Sequence, residues 1–474
     1  MAQAPTLKRG IRFRDLVLFY VVSALSVRWA AMAAAAGPSI LVVWIAALSC
    51  FFVPLAASVM ELSSRLPDEG GLYVWTREAF GDFAGFIAAW TYWMSNLPYF
   101  SGVLYFGAAS TLFAFGARGE PLRSNPLYYL AFSILWLGVI TLLNIRGVDA
   151  GKWLNNVSSL GGIVPMAVLL LLAAISCWRF GLAIKYPLTS FAPHWSLDNA
   201  AFWSSVFFAF AGLEAGSAMG GEIENPRRVI PWAILVGGLI LTVAYIGGTG
   251  ALLAALPPDA VRGPDGFVNG IRALSARVGA GWLLAPLALF VGLNSVGGAA
   301  AFLSSTSRLP FVAGIDHYLP SAFGKIHPRY RTPWVAIGVY GLAGILVALA
   351  GQAGTSVRGA YDVLVSMGIL SYFLPYVFLF AAMIKLQSRP AGPEVRRVPG
   401  GKPIAILLAS VGLLSTILTI ILSAFPAADD PNKSFAVAKV VGGTILLVNA
   451  GILVFVVERR KSLRRRLLAS SSTP

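Results

Sequence analysis

Long apolar runs separated by short polar connections set the pattern of this chain. Twelve of them lie at roughly 16–36, 39–62, 83–115, 126–144, 154–177, 199–219, 229–255, 281–312, 333–352, 361–386, 403–424 and 435–457, each of about 20 residues or more. At about 1.5 Å rise per residue such a run crosses a hydrocarbon core as a helix. Lipid offers the backbone no hydrogen bonds, so helices are the expected element throughout. The prediction is an all-α polytopic membrane protein with one domain at 15–458, between a polar segment at 1–14 and a basic tail at 459–474.

Two of the twelve runs are interrupted. The first reads VVSALSVRWAAMAAAAGP, with Ser23, Ser26 and Arg28 at mid-span. The sixth reads FAFAGLEAGS, with Gly212, Glu214 and Gly216 where a spanning helix should be most regular. Glycine weakens a helix, and a charge at that depth is costly unless it has a function. The interruptions lie five spans apart. Matching interruptions in two halves point to a transport site at the bilayer midplane and to two five-helix repeats of opposite orientation. The repeats fall at about 15–177 and 198–386, with the last two helices, 403–457, outside them.

Composition agrees: 57% of residues are hydrophobic and 12% charged, which no soluble domain shows. The net charge of +16 would suggest nucleic acid, but its distribution argues otherwise. With the N-terminus inside, about 25 of the 36 Lys and Arg fall in cytoplasmic segments and about 10 on the opposite side. Both termini are therefore expected in the cytoplasm of a cell that carries the protein in its inner or plasma membrane. Anionic lipid headgroups, not nucleic acid, are the expected partners of the basic excess. Cys50 and Cys177 read as buried small hydrophobes, without disulfide or metal. His194, His317 and His327 are scattered in loops, and the sequence shows no paired-histidine motif, nucleophile elbow or phosphate loop. No cofactor is expected, and an enzyme reading finds no support.

A broken helix frees backbone donors on one side and acceptors on the other. Donors suit a carboxylate and carbonyls suit an ammonium. The expected site for a zwitterionic amino acid head is therefore Ser23, Ala24, Ser26 and Arg28 on the carboxylate side. The opposing side is Phe208, Phe210, Ala211 and Gly212. Arg28 reads either as a snorkelling or glue residue, paired with a carboxylate such as Glu214, or as a fixed cation drawing anionic substrate groups. Glu214 is expected either to pair with Arg28 or to bind and release a proton as it meets water. Tyr92, Trp93 and Asn96 on span three, by i, i+3 and i+4 spacing, and Asn294 on span eight are selectivity candidates. The hydroxyl cluster Ser304–Ser307 suits either sodium or its own helix backbone.

Three stretches carry a resemblance to a known family: ELSSRLPDEGGLYVWTREAFG (61–81), FAFAGLEAGSAMGGEIENPRRVIPWAI (208–234) and STSRLPFVAGIDHYLPSAFGKIHPRYRTPWVA (305–336). They resemble the amino acid–polyamine–organocation superfamily of permeases. That resemblance implies a LeuT-like five-plus-five inverted repeat, discontinuous helices one and six, and alternating-access transport of amino acids or amines. VVSALSVRW, followed by the glycine and proline at 37–38, looks most like the glutamate/γ-aminobutyrate antiporter branch, where a serine and an arginine occupy this region. By the same resemblance Glu214 falls on a carboxylate tied to proton sensing, and Phe208 on an aromatic gate. Gly162 stands where some proton-coupled relatives carry a lysine, which favours exchange over lysine-driven symport. The expectation is an amino acid or amine antiporter. An ion-coupled symporter is the alternative within transporters, and a transporter-fold sensor the alternative from another class.

Overall fold

The computed structural model describes residues 10–193, 197–315, 318–352, 356–425 and 433–470. Its helices are α1 (Phe13–Ala24), α2 (Arg28–Ala34), α3 (Ile40–Ala47), α4 (Val53–Arg65), α5 (Leu72–Phe80), α6 (Asp82–Leu112), α7 (Pro126–Arg146), α8 (Val148–Phe180) and α9 (Leu197–Ala209). They continue with α10 (Pro226–Ala255), α11 (Gly266–Arg277), α12 (Leu284–Thr306), α13 (Arg308–Ile315), α14 (Trp334–Gln352), α15 (Val357–Leu386), α16 (Gly401–Ser423) and α17 (Lys433–Ser470). Ten helices are long and apolar enough to cross a membrane. An eleventh span is formed if α1 and α2, bent by 41° at their junction, are taken together. The sixth run is divided between α9 and a 3₁₀ segment, Leu213–Glu222, each too short to span alone. The all-helical polytopic fold is as expected.

Local chemistry explains the irregularities. Between α3 and α4 the chain takes a π-helical turn, Leu48–Phe52, just before Pro54. Pro54 has no N–H for the Cys50 carbonyl, which accepts the Ser415 hydroxyl of α16 at 2.8 Å instead. That turn also corrects the cysteine expectation: Cys50 is exposed, Cys177 is half-buried, and both are free. Between the seventh and eighth runs the chain forms α11, which buries Phe267, Val268, Ile271 and Leu274. At the other end, α17 continues as helix through Ser470, across most of the stretch read as a tail.

Side chains such as Leu239, Leu342, Leu414 and Leu446 point outward on the spanning helices, as a lipid-facing surface requires. The core is aromatic and dense where α1, α2, α6, α9, α12 and α15 converge. At the N-terminal end Gly10 and Ile11 donate to the Glu222 carbonyl at 3.0 and 3.1 Å, and Glu224 donates to the Ile11 carbonyl at 2.9 Å. This backbone clasp ties the start of α1 to the end of the 3₁₀ segment. Arg12 with Glu224 (3.3 Å) and Lys152 with Asp15 (3.5 Å) flank it.

Candidate functional site

The two breaks face each other but are made differently. In the sixth run the chain leaves α9 and turns at Gly212, whose φ of +113° a side chain would strain. A Cβ there would also meet the Phe302 ring at 3.2 Å and the Ala24 Cβ at 3.5 Å. Gly216 has a second reason: a Cβ would stand 2.5 Å from the Tyr20 hydroxyl. In the first run neither glycine nor proline makes the break. Leu25 takes a non-helical ψ of 85°, and Tyr245 of α10 holds the opened backbone. The Tyr245 hydroxyl donates to the Ala24 carbonyl and accepts from the Ser26 N–H at 3.2 Å. Trp44 stacks on the Tyr245 ring, with centroids 4.9 Å apart.

Glu214 is buried just past the Gly212 turn, and its carboxylate is fully engaged. One oxygen accepts the Tyr92 hydroxyl at 2.6 Å and the Tyr372 hydroxyl at 2.9 Å. The other accepts the Gly212 N–H at 3.0 Å. Tyr376, one turn beyond Tyr372 on α15, also accepts the Gly212 N–H at 3.3 Å. Donors from α6 and α15 thus meet on one carboxylate.

Arg28 is the opposite case. The first residue of α2, it is 2% exposed, and neither Nε nor Nη1 has a hydrogen-bond partner. Its guanidinium lies 4.2 Å from the Trp29 ring centre and 5.4 Å from that of Tyr99. It faces a water-sized cavity of about 10 Å³ walled by Trp29, Pro98, Tyr99, Phe208 and Val365. The expected pairing of Arg28 with Glu214 does not form, because tyrosine hydroxyls and the Gly212 N–H already occupy the carboxylate.

The remaining sequence candidates divide. Phe208 packs between Trp29 (5.1 Å) and Tyr372 (5.2 Å), at the cavity wall. Ala24 lies against Gly212, and Ala211 closes the turn by donating to the Phe208 carbonyl at 2.9 Å. Asn294, buried with an unpartnered Nδ2, stands beside Gly162, where a Cβ would meet that nitrogen at 2.7 Å and the Leu25 carbonyl at 3.4 Å. A lysine at 162 would therefore have no room without moving Asn294. Ser23 bonds back to the Tyr20 carbonyl at 3.3 Å.

Of the sequence candidates, Arg28 and Phe208 line the cavity and the others do not. Phe210 packs behind the break on Trp44, Phe52 and Tyr245. Trp93 turns to Trp90, Phe323 and Tyr340, and Asn96 donates to the Tyr92 carbonyl of its own helix at 2.8 Å. Adjacent residues diverge by about 100° around a helix, so Tyr92 and Trp93 cannot share a face. The hydroxyls of Ser305, Thr306 and Ser307 bond carbonyls of their own helix. The functional residues missed from sequence are Tyr245, Tyr372, Tyr376 and Trp29. The i, i+4 tyrosines of SYFLPYVF were the available signal, diluted among 15 tyrosines.

A small polar crevice of about 20 Å³ opens beside the clasp, lined by Asp15, Lys152, Asn156, Glu222 and Arg308 among others. At its edge buried Arg308 donates from Nη2 to both Glu222 carboxylate oxygens, at 2.9 and 3.1 Å. Glu69, in the loop between α4 and α5, accepts the Gly221 N–H at 2.7 Å. Burial, and then the nearby Glu222 carboxylate, push the Glu69 carboxyl well above its usual range, against the pull of Arg308 and that N–H.

Comparison with known proteins places this architecture. The chain is 28% identical to an uncharacterized transporter of Legionella pneumophila, over 93% of this chain and 95% of that one. It is 24% identical to a probable agmatine/putrescine antiporter of Lactococcus lactis, over 94% and 92%. With a serine/threonine exchanger of Bacillus subtilis the identity is 26%, over 76% and 79%. The family model described as amino acid permease matches residues 15–447, nearly the whole membrane domain. The chain is a multi-pass membrane transporter, not an enzyme, and belongs to the amino acid permease family.

Proposed function

We propose that this permease exchanges amino acids or related amines across the cytoplasmic membrane by alternating access, with both termini inside. The substrate head sits between the two breaks. Its carboxylate lies towards Ser23, Ala24, Ser26 and Arg28, and its amine towards the carbonyl side of Phe208 to Gly212. Phe208, wedged between Trp29 and Tyr372, closes the cavity at Arg28. Glu214 is the coupling residue. Its donors come from α6 and α15, so relative movement of those helices changes the hydrogen bonds on the carboxylate.

The observation that carries this reading is the pairing of breaks. Ala24 at the end of α1 stands against the Gly212 turn, where a Cβ would lie 3.5 Å away. In amino acid permeases with the broken-helix fold such facing breaks hold the ligand with backbone groups. Exchange is favoured over lysine-driven symport because Gly162, packed on Asn294, leaves no room for a lysine.

Uptake of radiolabelled amino acids into proteoliposomes tests it. Vesicles preloaded with unlabelled amino acid should take up label, and empty vesicles should not. Gradient-driven uptake into empty vesicles would replace exchange by symport. Binding without uptake in either would leave a sensor.

A further inference from the structure

We infer that the groove between α8 and α10 binds the hydrocarbon tail of a membrane lipid, and that this tail rests on Leu25 behind the first break. The groove holds about 290 Å³, against about 10 Å³ beside Arg28 and 20 Å³ beside the clasp. Its mouth is Ala167 on α8 with Leu239 and Val243 on α10, all exposed. Its floor is Met166, Ala244 and Leu25, all buried. The floor thus includes the residue whose ψ of 85° opens the first run.

The sequence of the two helices leaves this space. Towards their C-terminal ends they touch closely: a Cβ on Gly248 would stand 2.6 Å from the Met166 Sδ, and one on Gly247 3.0 Å from the Leu170 Cδ2. One turn before those glycines α10 carries Ala244, and α8 carries Ala167 next to Met166. Both alanines line the groove, and neither side chain is long enough to fill it.

The lining decides the occupant. Every residue around the groove is Leu, Ile, Val, Ala or Met. Water needs polar partners that these side chains do not offer, and apolar cavities of about half this size stay dry and take apolar guests. The charged head of an amino acid finds no counterpart there either. A helix of another protein is too thick, since a single turn, roughly 10 Å across and 5.4 Å tall, exceeds the volume. A flexible hydrocarbon chain fits. The bilayer supplies one, because the mouth continues the lipid-facing surface at Leu239. The groove also lies near the middle of both helices, at the depth of the chain ends. A seated tail restores dispersion contacts that an empty void forfeits, those on Leu25 among them. The break gripped by Tyr245 is thereby backed by lipid.

Photolabelling tests this without reading transport. The full-length permease would be reconstituted in phosphatidylcholine vesicles doped with phosphatidylcholine that carries a diazirine near its chain end. After illumination, adducts would be mapped by mass spectrometry. Leu342 and Leu346, exposed on α14, report ordinary lipid contact. The expected result is adducts on the floor residues as well as on α14. Ala244→Leu fills the floor and Ala167→Leu fills the mouth; each should lose the floor adducts and keep those on α14. Adducts on α14 with none on the floor would overturn the inference, and so would floor adducts that persist in either filled variant. A diazirine on the headgroup that labels the floor as strongly as the chain-end probe would overturn it too. No substrate is present, so the outcome stands apart from whether the permease exchanges amino acids.

Discussion

The two breaks solve one problem, opening a helix inside a membrane, by opposite means. The sixth run is opened by its own sequence: Gly212 takes a conformation that side chains resist, and Glu214 bonds back to the Gly212 N–H. The first run is opened from outside, by Tyr245 gripping Ala24 and Ser26. Their charges differ in the same sense. The acid past the sixth break is satisfied by α6 and α15, whereas the base past the first break is left open towards the cavity. A break stabilised within its own segment is a fixed frame. One held by a neighbour, with an unsatisfied charge beside it, is where a ligand changes the balance.

Gly212→Ala should be the most damaging change that tests this contrast. Strain at positive φ of about 1–3 kcal/mol, with the contact to Phe302, should reduce transport at least tenfold. Ser26→Ala should keep most of it, because break one uses the Ser26 backbone; an equal loss in both uptake assays would erase the distinction. Tyr245→Phe should follow, costing about 1 kcal/mol, because the Ala24 carbonyl and the Ser26 N–H lose the tyrosine hydroxyl and keep only their own contact at 2.9 Å. A Tm identical to wild type would show that break one holds itself.

Within the tyrosine cage, Tyr92→Phe and Tyr372→Phe should each cost about 1 kcal/mol, and the double variant should depart from their sum, since both hydroxyls share one oxygen. Additive losses of Tm would mean that the two donors act independently.

The smallest effect concerns the clasp. Glu69 is held above its ordinary range where it packs on Gly221 beside the clasp, so its protonation favours the clasped arrangement, fully so below the ordinary carboxylate value. That contribution is lost as pH rises through the raised value. Spin labels at Arg14→Cys and Arg228→Cys should report a growing open population with rising pH, and Glu69→Gln should remove the trend. A trend of opposite sign would discard the role.

Much of this was legible in the chain. The apolar runs marked the ten spanning helices and the bent α1–α2 pair, and glycines beside a buried acid marked the sixth break, because those signals are local. The first break was marked by Ser23, Ser26 and Arg28, yet what holds it, Tyr245, lies more than 200 residues away. The partners of Glu214 were hidden for the same reason. Tyr372 reaches it from α15, and aromatic residues are too common in membrane helices for one to stand out. Trp93 and Asn96 show the limit of spacing on a helix: a shared stripe with residue 96 does not put neighbours 92 and 93 on one face. The expected Arg28–Glu214 pair assumed that opposite charges near one site must meet. Three donors reached the carboxylate first.

The most direct measurement compares ligand-free thermal stability of Arg28→Gln and Glu214→Gln in the same detergent. If the base is unsatisfied and the acid saturated, Arg28→Gln should unfold at the same temperature as wild type or higher. Glu214→Gln should unfold lower, by about 1–3 kcal/mol of lost stability, because an amide N–H would face one of the donors that the carboxylate now accepts. A destabilised Arg28→Gln beside an unaffected Glu214→Gln would contradict the account.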